Sequence, residues 1–325
     1  MAQHTSPDRT QTQPHPQFDD PAIAMAHRSA VRSIERVVSE TAVPTDPPEA
    51  KRNVLAQLEH PKVLIVTGAG ISTESGIPDY RSKNGRLTKG RPMTFQEFAH
   101  VPEQVRRYWA RAFVGIRFMR AAHPNRAHFA LVELERAGLT TGIVTQNVDG
   151  LHTEAGSANV IALHGDMDHV VCLDCHALHE RSLIDALFDA ANPDFFESVR
   201  VEGSMINPDG DVELRDADVQ RFEMVACPAC GGARLKPNVV YFGENVPKSR
   251  RAEADRWLAQ STSVIAIGTS LAVMSGYKFV LDAKRQGKPV AVINGGPGRA
   301  DTKADTVWRT NVGDALDQVL DGLGL

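Results

Sequence analysis

Cysteine is scarce, with four in 325 residues. That is too few for the disulfide framework of a small secreted domain. No uncharged apolar run approaches the roughly 20 residues needed to span a membrane. Neither sign of charge dominates, since 36 Lys and Arg face 40 Asp and Glu for a formal net charge of −4. Without a basic excess, nucleic acid is not indicated as a direct partner. Met1–Asp20 has no apolar stretch of the secretory kind, and Asp8, Asp19 and Asp20 count against a basic, acid-poor transit peptide. The expectation is a cytoplasmic protein, off the membrane, in a reducing setting where cysteine pairs bind metals or electrons more often than they staple chains. Apolar residues at 42% and charged residues at 23% are ordinary values. They exclude collagen, mucin and long coiled-coil architectures.

Residues 1–50 read as a disordered or weakly structured tail, rich in Pro and polar side chains that bury little apolar surface. One short helix fits Ala22–Ser39, where Ile23, Ala30, Val31, Ile34 and Val37 recur at helical spacing. Ala42–Pro48 then serves as a stop and linker, and the ordered core is expected from near Val54. Beyond it, Val63–Val66, Thr141–Thr145, Val264–Ile267 and Val290–Ile293 are short, apolar, strand-like runs. Helical stretches such as Arg126–Ala137 and Arg251–Gln260 lie between them. This rhythm predicts an α/β fold with a doubly wound parallel sheet covered on both faces. From Val170 to Gly232 the texture changes to cysteines, acids and the turn-like Asn207–Asp211, as in a small inserted module.

The first strand runs straight into Gly68-Ala-Gly-Ile-Ser-Thr-Glu-Ser-Gly-Ile-Pro78. Glycines at a strand-to-helix turn let backbone approach a diphosphate, and free N–H groups face its charge. Thr73 stands where the dehydrogenase fingerprint wants a third glycine, and no acid ends a second strand about 20 residues on. A tight βα turn alone would also explain Gly-x-Gly. Gly76-Ile-Pro-Asp-Tyr-Arg81 is more specific, because it sets an acid, a phenol and a guanidinium beside the phosphate turn.

Other strands also end in polar or glycine-rich clusters: Gln146-Asn-Val-Asp149, Leu163-His-Gly165, Gly268-Thr-Ser270 and Asn294-Gly-Gly296. Open α/β sheets bind ligands beyond the carboxyl ends of their strands. Together these ends form a wall for a large polar ligand. His164 is the group in this set that titrates near neutral pH, although any one of 12 histidines is more often a surface or core residue than a catalyst.

The cysteines form two knuckles, Cys172-Leu-Asp-Cys175 and Cys227-Pro-Ala-Cys230. Two Cys-x-x-Cys pairs match a tetrahedral structural zinc site, and four thiolates leave no open position for catalytic water. A thioredoxin-like motif would need no twin.

Taken in chain order, these motifs resemble the sirtuin family of NAD-dependent protein-lysine deacylases. Lys236-Pro-Asn-Val-Val-Tyr-Phe-Gly-Glu244 and Gly268-Thr-Ser-Leu271 complete the series, and the likeness covers roughly residues 54–320. Ser72–Ser75, Arg107-Tyr-Trp-Ala-Arg111, Phe113-Val-Gly115, Cys172–Cys175, Pro208–Asp211 and Ser275-Gly-Tyr277 are similar to class II, the branch holding the mitochondrial fourth sirtuin of animals.

The resemblance implies a Rossmann-like domain in two parts, 51–168 with a helical insertion at about 80–125, and 233–325, flanking a zinc module at 169–232. It implies NAD held by Gly68, Ala69, Gly70, Ser72, Thr73, Pro78, Asp79, Tyr80 and Arg81, with 78–92 a mobile cofactor loop. Gln146, Asn147 and Asp149 would line the ribose and nicotinamide pocket, and Asn147 would share the catalytic centre with the general base His164. Gly268, Thr269, Ser270, Asn294, Gly295, Gly296 and Val312 would take the adenosine half. Val240, Phe242, Gly243, Glu244 and Val273 would contact an acylated peptide entering as a strand between Val240–Glu244 and Leu271–Met274. The implied reaction releases nicotinamide, free lysine and O-acyl-ADP-ribose.

Tyr241 and Ser275 depart from the commonest sirtuin pattern, which has Phe and Pro there. Tyr108 and Arg111 have the Tyr-x-x-Arg spacing by which desuccinylating sirtuins bind an acidic acyl chain, and a packing or solvated helix face is the plainer reading. Three other functions compete: mono-ADP-ribosyl transfer from the same NAD site, a nicotinamide-dependent oxidoreductase with structural zinc, and a zinc-ribbon binding module. The expected partners are acylated lysine proteins or peptides, met by a monomer.

Overall fold

The computed structural model describes residues 16–81, 84–87, 91–199, 210 and 212–325. Two helices come first, α1 (Pro21–Ile34) and α2 (Pro47–Glu59), then strand β1 (Val63–Thr67). Helices α3 (Phe95–His100), α4 (Pro102–Met119) and α5 (Arg126–Arg136) precede β2 (Thr140–Thr145), α6 (Leu151–Ala155) and β3 (Val160–Ala162). Next are β4 (Gly165–Cys172), β5 (Leu178–Glu180), α7 (Arg181–Ala191), α8 (Phe195–Ser198), α9 (Asp216–Gln220) and β6 (Leu235–Val239). The chain ends with α10 (Lys248–Gln260), β7 (Ser263–Ile267), α11 (Met274–Arg285), β8 (Val290–Ile293), β9 (Thr306–Trp308) and α12 (Val312–Leu323).

Six strands form one sheet in the order β3-β2-β1-β7-β8-β9, all parallel. Every residue of β1, β7 and β8 is buried, which is why these segments read as unbroken apolar runs. Side chains alternate between faces. Val63 and Ile65 pack with Val54, Leu58, Leu131 and Leu316 of α2, α5 and α12. Leu64 and Val66 pack with Leu258, Phe279 and Val280 of α10 and α11. The sheet is doubly wound, and its order reverses between β1 and β7, leaving a crevice beyond the strand ends where such sheets take ligands.

A second, antiparallel sheet runs β5-β4-β6 and carries the cysteine knuckles. Its strands reach from Gly165 to Val239, past both ends of the 169–232 module expected from composition. Its core is shared with the helical insertion. Phe98, Trp109 and Phe113 pack among Val170, Phe188 and Phe222, and the Trp109 indole N–H donates to the Leu235 carbonyl at 2.9 Å.

The expected tail gives way to structure from residue 16 onward, and residues 1–15 lie outside the described set. Pro47 and Pro48, which closed the linker expected at Ala42–Pro48, instead open a helix, as Pro21 does in the tail. Pro21 follows the N-cap Asp20, whose carboxylate accepts from Ala22 N at 2.7 Å, and Pro47 starts α2 after Asp46. Proline lacks only an N–H that the first turn leaves unpaired anyway. Ala30, Ile34, Val38 and Ala50 are buried. The helix expected at Ala22–Ser39 stops at Ile34, whose side of the helix reaches the cavity described below. Among the described residues no helix is long and apolar enough to cross a membrane.

Candidate active site and metal centre

A cavity of about 890 Å³ opens at the switch between β1 and β7. The glycine turn after β1 forms its floor. A Cβ on Gly68 would stand 2.7 Å from Thr269 Cβ, and one on Gly70 would stand 2.7 Å from the Gly268 carbonyl oxygen. Only glycine lets the two turns touch, and the Gly70 N–H donates to the Gly268 carbonyl at 2.8 Å. The loops after β1 and β7 are thereby joined backbone to backbone.

Behind this floor, Ser72 Oγ donates to Asp149 Oδ2 at 2.7 Å. The Asn147 amide donates to Ser72 Oγ at 3.0 Å and to Asp149 Oδ2 at 3.1 Å. Asp149 Oδ1 accepts from Leu151 N at the start of α6. Ser72 is fully buried and does not line the cavity; it holds the two residues that do. Gln146 is fixed by Thr67 O and Thr269 Oγ1.

The His164 imidazole follows β3. Its Nδ1 lies 2.9 Å from the Gln146 carbonyl, which can only accept, so Nδ1 carries the proton. Nε2 then offers a lone pair, and Ser275 Oγ stands 2.8 Å from it. Burial pushes the imidazole pKa down to about 4; the Gln146 carbonyl opposes this and the Arg250 charge adds to it. The ring is neutral at pH 7 and can accept a proton at Nε2. Nearby, burial raises the Asp79 carboxyl above its usual range against the pull of its own backbone hydrogen bond.

The cavity brings together nearly all the residues singled out in the sequence. Gly68, Ala69, Gly70, Thr73, Asp79, Tyr80 and Arg81 line it from the β1 side. Gln146, Asn147, Asp149 and His164 line its centre. Gly268, Thr269, Ser270, Asn294, Gly295, Gly296 and Val312 line the far end, and Val240, Phe242, Gly243, Glu244 and Val273 the remaining wall. Pro78, like Ser72, is not a lining residue. Tyr108 faces the cavity, edge-on to Phe98 and Trp109 and against Tyr241. Arg111 turns elsewhere, donating to the Val212 carbonyl and pairing with Glu213, both at 2.7 Å. Tyr108 and Arg111 therefore do not meet in one pocket. Ser33 and Ile34 of α1 also line the cavity, and so does Arg309, whose guanidinium bonds Gly296 O and Asp301. No local sequence signal links α1 to the glycine loops.

The four cysteines converge at the far side of the second sheet, with their sulfurs all within 4.8 Å of one another. Cys172 Sγ and Cys230 Sγ are 3.8 Å apart, and Cys175 Sγ and Cys227 Sγ 3.9 Å. A tetrahedron with Zn–S bonds of about 2.3 Å has edges of about 3.8 Å, so this donor set fits zinc. Backbone N–H groups of Asp174 and Gly232 point at Cys172 and Cys230, which favours thiolates. His179 Nε2 lies 3.3 Å from Cys227 Sγ, a contact that the cysteine spacing did not disclose.

The comparisons with known proteins agree with this geometry. The Sir2 family model matches residues 68–275. NAD-dependent protein deacetylase 1 of Corynebacterium efficiens is 58% identical over 85% of this chain and 98% of its own length. NAD-dependent protein lipoamidase sirtuin-4, mitochondrial, of Bos taurus is 40% identical over 84% of this chain and 86% of its own. A solved Sir2 structure bound to acetylated peptide superposes with a TM-score of 0.62 at 28% identity, covering 84% of this chain and 98% of that one. By fold, by the match over residues 68–275 and by these relatives, the chain belongs to the Sir2 family.

Proposed function

We propose that this protein is an NAD-dependent protein-lysine deacylase, with acylated lysine side chains of proteins or peptides as substrates. The observation that carries the reading is the neutral His164, its Nδ1–H on the Gln146 carbonyl and its Nε2 a lone pair shared only with the Ser275 hydroxyl, within the cavity framed by the glycine turns. NAD, when bound, would supply a ribose that gives up nicotinamide as the acyl oxygen bonds its C1′, and water would then release the lysine amine, leaving the acyl group on the sugar. The protein's own part is positional and acid–base. The turn at Gly68–Gly70 and the loop after β7 offer close backbone approach to a diphosphate. Asn147 and Asp149, fixed through Ser72, present an amide and a carboxylate to the ribose end. His164 Nε2 takes the proton of a ribose hydroxyl as that oxygen attacks the acyl carbon, and the Gln146 carbonyl stabilises the imidazolium that forms.

The names of the relatives, deacetylase and lipoamidase, favour deacylation over ADP-ribosyl transfer to protein. We assign one zinc ion to Cys172, Cys175, Cys227 and Cys230 in a structural role, because four thiolates complete its shell. For the acyl group, the aromatic surround of Tyr108 and the diversion of Arg111 support neutral chains over acidic ones. Reaction with acetyl-, lipoyl- and glutaryl-lysine peptides, analysed by mass spectrometry, tests the reading. The expected products are deacylated peptide and O-acyl-ADP-ribose, from the first two in preference to the third. ADP-ribose attached to protein, with acyl-lysine unchanged, would overturn it.

A further inference from the structure

The family match begins at residue 68, yet Ser33 and Ile34 at the end of α1 form part of the cavity wall, and the segment after them, residues 35–40, is tied to residues that line it. Three contacts fasten them there. Arg81, on the loop after the glycine turn, donates from Nη1 to the Arg36 carbonyl at 2.5 Å and from Nη2 to the Ile34 carbonyl at 2.8 Å. The same Nη1 reaches the Gly85 carbonyl at 3.2 Å, so one guanidinium bridges the end of α1 and both arms of the loop. Val38 N–H also donates to Gly85 O at 3.3 Å. Gly85 has φ +71°, and a Cβ there would stand 1.8 Å from the Val38 carbonyl oxygen, so the two backbones meet as only glycine permits.

The other side of α1 is equally fixed. Buried His27 Nδ1 lies 3.1 Å from Thr94 Oγ1, and Thr94 pairs as a bridge with Phe242. A Cβ on Gly243 would stand 2.8 Å from the Ala30 methyl. Helix α1 thus spans from the Phe242–Gly243 wall to the Arg81 loop. Beyond it, Glu40 pairs with Arg309 at 2.7 Å, and Thr45 N–H donates to Val307 O at 2.9 Å, near the far end of the cavity.

We propose that α1 and residues 35–40 are a positioning element of the active site, holding Arg81 and its loop in the arrangement that receives NAD. Carbonyls at a helix C-terminus carry partial negative charge and lack intrahelical donors, so an arginine is their natural partner. Fixing Arg81 and Gly85 before NAD arrives lowers the entropy lost on binding, so the element acts on NAD affinity more than on the chemical step. Burial, and after it the Arg36 charge, lower the Arg81 pKa, so this corner holds two cations that a diphosphate would neutralise.

The proposal rests on the deacylase reading, and its test keeps the two apart. Gly85→Ala forces the Val38 carbonyl away from the loop side, and Ser33→Pro breaks the last turn of α1 from the helix side. In the full-length protein each raises KM for NAD at least about 3-fold and leaves kcat within about 2-fold. Each also speeds amide exchange at residues 76–81. In the wild type, which needs no variant to fold, NAD slows exchange at 34–38 and at 76–81 together. An unchanged or lowered KM in both folded variants, or protection by NAD of only one segment, overturns the proposal. A wild type that releases no nicotinamide from NAD and acyl peptide would instead sink the deacylase reading.

Discussion

Ser275 Oγ stands 2.8 Å from His164 Nε2, the one ring nitrogen left to act as a base once Nδ1 is committed to the Gln146 carbonyl. Ser275 occupies the position where the commonest sirtuin pattern has proline, which has no hydroxyl to offer. The hydroxyl holds the imidazole plane toward the cavity and must yield Nε2 when a ribose hydroxyl arrives. One such hydrogen bond is worth about 0.5–1.5 kcal/mol and is given up before the proton moves, so Ser275→Ala should raise kcat by up to roughly 2- to 12-fold, with KM for NAD little moved. Steady-state rates check this; an unchanged kcat would remove Ser275 from the account.

Ser72 has no surface of its own yet ties Asp149 to Asn147. Replacing it by Ala takes one of two donors from a half-buried carboxylate oxygen, leaving it the Asn147 amide, at a cost of about 1–3 kcal/mol. Both residues then lose their set positions at the ribose end. The expected outcome for Ser72→Ala is a lower melting temperature together with a kcat/KM for NAD reduced roughly 10-fold. Full activity with reduced stability would make Ser72 a packing residue only.

His152 is almost fully buried, with its Nε2 2.9 Å from Thr67 Oγ1, its Nδ1 without a partner and the His128 ring 4.9 Å away. Burial first, and the His128 charge second, press its pKa down to about 3. Folding keeps the ring neutral, so its contribution is fully present above the ordinary pKa near 6.5 and is withdrawn as pH falls toward the folded value. At about 1.4 kcal/mol per pH unit, the ring removes on the order of 3 kcal/mol of stability between pH 6.5 and 4. Denaturant unfolding at pH 7.5, 6 and 5 should show His152→Gln losing less stability on acidification than the wild type. Parallel slopes would contradict this.

His179 Nε2 stands within hydrogen-bond reach of Cys227 Sγ, at 3.3 Å. A donor there supports the thiolate and orients it, and partners of this kind change metal affinity by about 10–100-fold. Zinc transfer to a chromogenic chelator should therefore be at least roughly 10-fold faster from His179→Ala than from wild type. Equal transfer rates would show that the contact does not support the metal.

Arg111 donates to the Val212 carbonyl and to Glu213 and is not among the residues that line the cavity. Its replacement by Ala should leave the ratio of acetyl to glutaryl rates unchanged. A selective loss of the acidic substrate would restore the Tyr-x-x-Arg reading of acyl recognition.

Much of this architecture was legible in the sequence because its signals are local. β1, β7 and β8 are buried on both faces, so they stand out as apolar runs, and the glycine turns and cysteine knuckles carry their chemistry in adjacent letters. Other features depend on contacts between distant segments. The prolines at 21 and 47 look alike in a linker and in a first helical turn. Arg81 reads as a phosphate ligand, while its partners are backbone carbonyls 45 and 47 residues earlier, which no side-chain pattern announces. The three-residue β9 is too short to show a period, and the merger of α4 with the second sheet needs the packing of Trp109 and Phe188 to be seen. For Arg111 the sequence left two readings, because i and i+3 spacing places two residues near one face of a helix but does not say which partner each finds.

The most direct test of the central claim is release of free nicotinamide from NAD in the presence of an acetyl-lysine peptide, measured for wild type and for His164→Ala. The account predicts nicotinamide and deacetylated peptide in equal amounts from the wild type, and deacetylation at least about 100-fold slower in the variant. No peptide-dependent nicotinamide from the wild type, or undiminished deacetylation by His164→Ala, would contradict it.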